Sequence, residues 1–300
     1  MKVNFNASFS FLILFFIYTF AFGLGQAILF YIPSYIHPLE ALAIAMFSST
    51  LFIYLFSTAF NNSSVFDPFW SLAPIVYLFY FFKISDKEID SFRHILVLIA
   101  VMSWGIRLTL NWARGWKGLK HEDWRFVKLK QAPKWKAFLS IFFGVHLFQT
   151  LQIFLGMLPL YPAITEFGGE TNGLDILALA VSLTGVVISL IADEQLKIFK
   201  KKNKDPHAFI QSGLWRLSRH PNYFGECIYW VGIFFIGFNA NPDYWWTCIG
   251  SISMYLMFRL ISIPMMEKRL LETRPEYQAY KRETPPFMPI KIPYNFKALE

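Results

Sequence analysis

Apolar runs follow one another along this chain, and several reach the roughly 20 residues that a helix needs to cross a bilayer. They cover about Phe9–Tyr31, Leu39–Phe60, Asp67–Phe82, Ile95–Leu110, Ala137–Leu158, Ile176–Ala192, Cys227–Phe238 and Tyr244–Pro264. Only 16% of the residues are charged, against roughly 25% in a soluble domain. The pattern predicts an all-α fold: a polytopic transmembrane helix bundle of about eight spans, forming a single integral membrane domain over residues 1–300. The first run is expected as a retained helix. It is longer than the roughly 7–15 apolar residues of a signal peptide and has no small-x-small cleavage site after it. The net charge of +8 would point to nucleic acid in a soluble protein. Here the cations cluster in a few loops, so they read as topology signals and anion sites. Cys227 and Cys248 both lie in apolar runs and indicate neither a disulfide framework nor a metal site.

Loop charges set the expected orientation. Basic segments follow the fourth and sixth runs, and a basic tail follows the eighth. The Pro159–Asp175 loop carries Glu166, Glu170 and Asp175 with no Lys or Arg, and Asn239–Asp243 also lacks them. The positive-inside rule then places both termini in the cytoplasm. The Lys83–Arg93 loop is the exception, external despite Lys83, Lys87 and Arg93. This topology gathers Asn61–Asp67, Asn111–Lys136, Asp193–Glu226 and the tail on the cytoplasmic face. Such a face suits a water-soluble polyanionic cofactor, with a lipid-soluble substrate arriving from the membrane.

The densest polar motif is Gly213-Leu-Trp-Arg-Leu-Ser-Arg-His-Pro-Asn-Tyr-Phe-Gly-Glu226. Pro221 suits the first turn of a helix. Asn222 and Glu226 then share a face, four residues apart, where the helix enters the membrane. Arg216 and Arg219 beside that N-terminus make a place for phosphate. A basic membrane anchor accounts for the two arginines. It does not account for Glu226, a carboxylate on the apolar side of the boundary.

Further upstream, Arg114 and Arg125 can clamp phosphates, with Glu122 and Asp123 to hold the arginines. Asn111 opens the same segment. Trp116 and Trp124 equally read as side chains at headgroup level. Asp193 ends the sixth run, and Lys197, Lys200, Lys201, Lys202 and Lys204 follow it as topology charge or phosphate attraction. His121-Glu-Asp123, His207 and His220 lack the spacing of a metal site. Asp67 ahead of Pro68 reads as the N-cap of the third helix.

Ser218-Arg-His-Pro-Asn-Tyr-Phe-Gly-Glu226 resembles the signature of the steroid 5-alpha-reductase superfamily, most closely its mostly bacterial, uncharacterised branch. A related Arg-His-Pro core occurs in isoprenylcysteine methyltransferases. Asp67-Pro-Phe-Trp70, Arg107–Trp112, His121-Glu-Asp-Trp-Arg125 and the tail Met266–Tyr277, with Pro285, Phe287 and Pro289, extend the resemblance over about residues 65–290. It implies a membrane reductase of seven to ten helices that binds NADPH on the cytoplasmic side. It also implies that Asn222 and Glu226 face the nicotinamide and that Asp193 helps to hold the cofactor. The characterised steroid reductases carry an early Gln-Glu pair for substrate, whereas this chain has Gln26-Ala27, so their substrate chemistry does not carry over.

The expected reaction is hydride delivery from NADPH to an electron-poor C=C bond in a lipid. Asp67, beside Trp70 for substrate contact, or Tyr223 donates to the developing enolate. Glu226 and Asn222 orient the carboxamide. Arg114, Arg125, Arg219 and Arg274, with Asn111, Asp193 and His220, hold the rest of the cofactor. The rival readings are an S-adenosylmethionine-dependent methyltransferase, which the extra tryptophan-bearing blocks argue against, and a transporter or scaffold. Mid-span charges and a repeat would mark a transporter, and neither is evident.

Overall fold

A computed structural model describes residues 7–86, 92–166, 168 and 170–287. Among these residues the chain forms helices and no strand. The main helices are α1 (Ala7–Tyr31), α2 (Pro38–Ala59), α3 (Phe69–Ile84), α4 (Phe92–Gly115), α5 (Trp124–Leu129), α6 (Lys134–Ile141), α7 (Phe148–Met157) and α8 (Leu160–Ile164). They continue with α9 (Gly173–Lys202), α10 (Pro221–Ala240), α11 (Ile249–Met257), α12 (Ile263–Thr273) and α13 (Tyr277–Glu283). Among the described residues, seven helical segments are long and apolar enough to cross a membrane: 7–31, 38–59, 63–84, 92–115, 134–164, 173–202 and 242–273. The protein is therefore an all-α, multi-pass membrane bundle. The expected seventh run became α10, which is not among those seven. Its polar opening, with Asn222, Tyr223 and Glu226, lowers its apolar character.

Two compact units are present. One comprises Met1–Leu179 and Ile233–Gly250, the other Ala180–Gly232 and Ser251–Glu300.

In the first unit, polar contacts collect at both ends of the helices. At one end Arg93, heading α4, grips Asp175 in the first turn of α9 through two hydrogen bonds of 3.0 Å. Both side chains are buried, at 1% and 0% exposure. His94 Nε2 and the Ser85 hydroxyl both meet the Ile164 carbonyl, at 3.1 and 2.8 Å. Asn241 donates to the Glu166 carbonyl and Asn239 to the Asn172 side chain. The loops after the third, fifth and seventh apolar runs thus meet at one end of the first unit. Arg93 does not behave as a loose loop charge, because Asp175 neutralises it. Lys87, Glu88 and Asp90 lie outside the described residues, as does Pro289.

At the other end of α3 the expected helix start is corrected. A 3-10 turn, Ser63–Phe66, runs straight into α3, and Asn62 is the residue that caps it, accepting from Ser64 N–H at 2.9 Å. Asp67 has helical backbone angles and no capping role there. The fifth run is broken by a π-helical turn, Phe142–Leu147. The sixth continues past Ala192 through the lysines, because Gln, Leu, Lys and Glu favour helix and no Gly or Pro intervenes.

Candidate functional site

The second unit holds the motif centred on α10. Gly185 of α9 and Gly225 of α10 let the two backbones meet: a Cβ on either would overlap backbone atoms of the other helix. Small residues give such close approach between membrane helices. The contact brings Ser189 to the Asn222 carbonyl, which accepts its hydroxyl at 3.0 Å. It also brings Asp193 to the Asn222 side chain, whose Nδ2 donates to Oδ1 of Asp193 at 3.2 Å. Asn222 Oδ1 is buried and has no hydrogen-bond partner among the described residues. Glu226 follows one turn later on the same face and is buried at 7% exposure.

The residues just before α10 are used differently from the expectation. Arg219 is buried. Its Nε donates to Glu267 Oε1 at 2.7 Å, and its Nη1 donates to the carbonyls of Lys281, at 2.8 Å, and Thr284. Its backbone N–H donates to the Pro285 carbonyl at 3.0 Å. A guanidinium committed in this way ties the tail to the motif, and we assign it no phosphate. His220 Nε2 also reaches Glu267 Oε1, at 3.3 Å, while Lys281 Nζ reaches Oε2 at 3.2 Å. Burial lowers the His220 pKa. The Glu267 carboxylate opposes that shift, and the Arg219 charge adds to it. The His220 ring stacks on Tyr223 at 5.4 Å and 4°, and Tyr223 stacks in turn on Phe258 at 4.6 Å. Phe258 begins a second π-helical turn, Phe258–Ser262.

Arg274 donates from Nε to the Ala208 carbonyl at 3.1 Å. Lys200 lies in the field of both Arg274 and Asp193. An open groove of about 530 Å³ adjoins the end of α9, lined by Gln195, Ile198, Phe199, Lys202, Ile210 and Ser212 among others. Gly213 has φ +61 and leaves no room for a Cβ beside Gln195, whose Oε1 accepts from Leu214 N–H at 3.0 Å. The loop entering the motif is thereby fixed to α9.

In the first unit, Asn61–Asp67 and Leu119–Lys130 are stitched together. Asn62 Nδ2 donates to the Leu119 and His121 carbonyls at 2.8 and 3.1 Å. Glu122 accepts from Ser63 N–H and from Lys130 Nζ, both at 2.6 Å. The Ser64 hydroxyl accepts from Asp123 N–H at 2.9 Å and bonds the Asp67 carboxylate, which lies in the field of Arg125, Asp123 and Glu122. Asp123 holds Arg125 through two hydrogen bonds, 2.8 and 3.1 Å, as expected, while Glu122 serves the loop instead. Trp70 is half-buried close by in sequence, and Asn111 is half-buried and Arg114 exposed near the end of α4. Trp116 is buried between Phe11 and Trp112, not set free at headgroup level. No group of metal ligands occurs among the described residues.

The model of the family described as "Protein of unknown function (DUF1295)" matches residues 53–284. The chain belongs to the DUF1295 family. That match takes in Asp67, Asp193, Asn222, Glu226 and Glu267. The DUF1295 chain is 28% identical over 252 residues to an uncharacterized protein of Schizosaccharomyces pombe, covering 76% of this chain and 73% of that one. It is 35% identical over 57 residues to the steroid 5-alpha-reductase DET2 of Arabidopsis thaliana, which is 19% of this chain and 22% of that protein. No solved structure matches it. Sequence reasoning missed Glu267, Ser189 and Gly185. Glu267 lies in the tail Met266–Tyr277, which the sequence shows only as a polar block that extends the resemblance. Only the chain's return to Arg219 and His220 makes its burial visible.

Proposed function

We propose that this protein is a membrane-embedded, NADPH-dependent reductase that saturates a C=C bond in a lipid or steroid-like substrate. The partial similarity to a steroid 5-alpha-reductase supports the reaction class. The observation that carries the cofactor is Asn222. Its amide nitrogen is anchored on Asp193, and its buried Oδ1 meets no donor among the described residues. A buried acceptor without a partner is unfavourable until one arrives. The carboxamide N–H of a nicotinamide is such a donor, and Glu226 on the same helix face is the second acceptor for it. When bound, NADPH supplies a hydride.

Asp193 fixes the Asn222 rotamer, and Ser189 fixes its backbone. Lys200 and Arg274 supply positive charge for phosphate. Tyr223, clamped between His220 and Phe258, is proposed to give a proton or a hydrogen bond to the substrate as charge develops on its oxygen. Asp67, with Trp70, is proposed for substrate contact, and the site is proposed to open to the cytoplasm.

The test is thermal unfolding of the protein in detergent with NADPH, NADH or S-adenosylmethionine. NADPH should raise the midpoint by mass action, a gain worth about 2.7 kcal/mol at a hundred times Kd. NADPH should exceed NADH, and the difference should shrink as salt rises. Glu226→Gln should melt normally and gain little from NADPH. A gain from S-adenosylmethionine with none from NADPH would replace this reading by a methyltransferase.

A further inference from the structure

Glu267 does something that an ion pair alone would not require. Its Oε1 is shared by Arg219 and His220, and its Oε2 is taken by Lys281. An ionised carboxylate only accepts, so His220 must present a hydrogen at Nε2. In a neutral imidazole the nitrogen that donates determines the state of the other one. Nδ1 is then the bare acceptor, and none of the described hydrogen bonds uses it, the backbone N–H of His220 being taken by Ser218 Oγ at 3.2 Å. The ring cannot turn without leaving both Glu267 and its parallel stack on Tyr223. The charged groups that face it are Glu267 on α12, Arg219 on its own loop and Lys281 on α13, with the Tyr223 phenol on α10. Two cations already share this carboxylate, so a third positive charge on the ring is disfavoured, and burial acts in the same sense.

We propose that Glu267 is the positioning residue of this motif, fixing His220 as its Nε2–H tautomer so that Nδ1 is held as an acceptor for an N–H or O–H of the bound nucleotide. The identity of the ligand rests on the cofactor reading above; the tautomer does not. The same arrangement holds the Tyr223 ring flat between His220 and Phe258, which links the tail helix α12 to the proposed proton donor. An arginine clamp alone would bind the tail equally well with either tautomer.

The experiment is nitrogen-15 histidine NMR on the full chain in detergent, with the His220 signals assigned by their loss in His220→Gln. At neutral pH the ring should show a protonated Nε2 and a pyridine-like Nδ1, and NADPH should shift the Nδ1 signal. Glu267→Gln, whose amide can donate as well as accept, should mix the two tautomers and weaken NADPH binding by roughly tenfold, the effect of losing a charged hydrogen bond. Lys281→Met, which removes the more exposed partner, should leave the tautomer unchanged. A protonated Nδ1 or an imidazolium ring in the wild-type protein overturns the proposal, as does an unchanged tautomer in a folded Glu267→Gln. If that variant does not fold, the wild-type spectrum decides. An Nδ1 signal unmoved by NADPH in a protein that NADPH stabilises removes the nucleotide contact. Absence of any stabilisation by NADPH removes the functional reading instead and leaves the tautomer to be judged by itself.

Discussion

His220 carries a consequence for pH. Burial holds its pKa below the ordinary value of 6.5. Between that lowered value and about 6.5 the unfolded chain binds a proton that the folded chain refuses. Stability should therefore be fully present above about 6.5 and be lost as the pH falls through the folded pKa, at no more than about 1.4 kcal/mol per pH unit for one group. Comparing unfolding midpoints of wild type and His220→Gln between neutral and mildly acidic pH checks this: the variant's profile should be flatter. If the two profiles run parallel, His220 is not the group. Asn222 and Glu226 were legible in the sequence because their relation is local, four residues on one helix face after a proline. The partners that define their surroundings were not. Glu267 lies 47 residues from His220, and a side chain's burial by a distant return of the chain leaves no local spacing to read. Asp67 shows the converse. Asp-Pro is a strong local signal for a cap, but the preceding turn had already begun the helix at Asn62 and left Asp67 inside it.

Among the elements, α9 and α10 depend on two glycines. Gly185→Ala would set a methyl group into the backbone at Tyr229 and Gly225, and overpacking of this kind costs about 1–3 kcal/mol. Separation of the helices also pulls Asp193 away from Asn222, so the variant should lose its NADPH-dependent gain in midpoint more completely than its stability. Loss of stability with the gain intact would show that the close approach does not position the amide. The apolar cores of these helices were legible from length and composition alone. Their ends were not, because the lysines after Ala192 are as good at forming helix as the residues before it. The π-helical turns at Phe142–Leu147 and Phe258–Ser262 have no signature in apolar periodicity, since each adds one residue to a turn without changing residue type. The 20-residue α10 illustrates the limit of reading spans by hydropathy: its first turns carry the chemistry and so dilute the signal.

At the scale of the molecule, the contacts of Arg93, His94, Ser85 and Asn241 gather the loops after the third, fifth and seventh runs at one end, although the first of these carries the cations that made it the exception to the charge rule, and α9 runs unbroken from Gly173 to Lys202. Single cysteines at Glu170 and Lys202 should therefore label from opposite sides of the membrane, the latter from the cytoplasm; labelling of both from one side would remove the topology. The buried Arg93–Asp175 pair should be costly to break, about 3–5 kcal/mol for Asp175→Asn, read as a fall in the unfolding midpoint. Its residues are 82 positions apart, and this separation imposes an order of events during synthesis. Arg93 is made long before Asp175, at the head of α4, just ahead of its apolar stretch Ile95–Ile106. Until α9 emerges, that arginine lacks the Asp175 carboxylate that its Nε and Nη2 grip in the finished structure. The head of α4 can settle into its final place only when a helix made much later arrives, so a nascent chain that stops short of residue 175 should leave Arg93 open to chemical modification and a chain that extends past it should not.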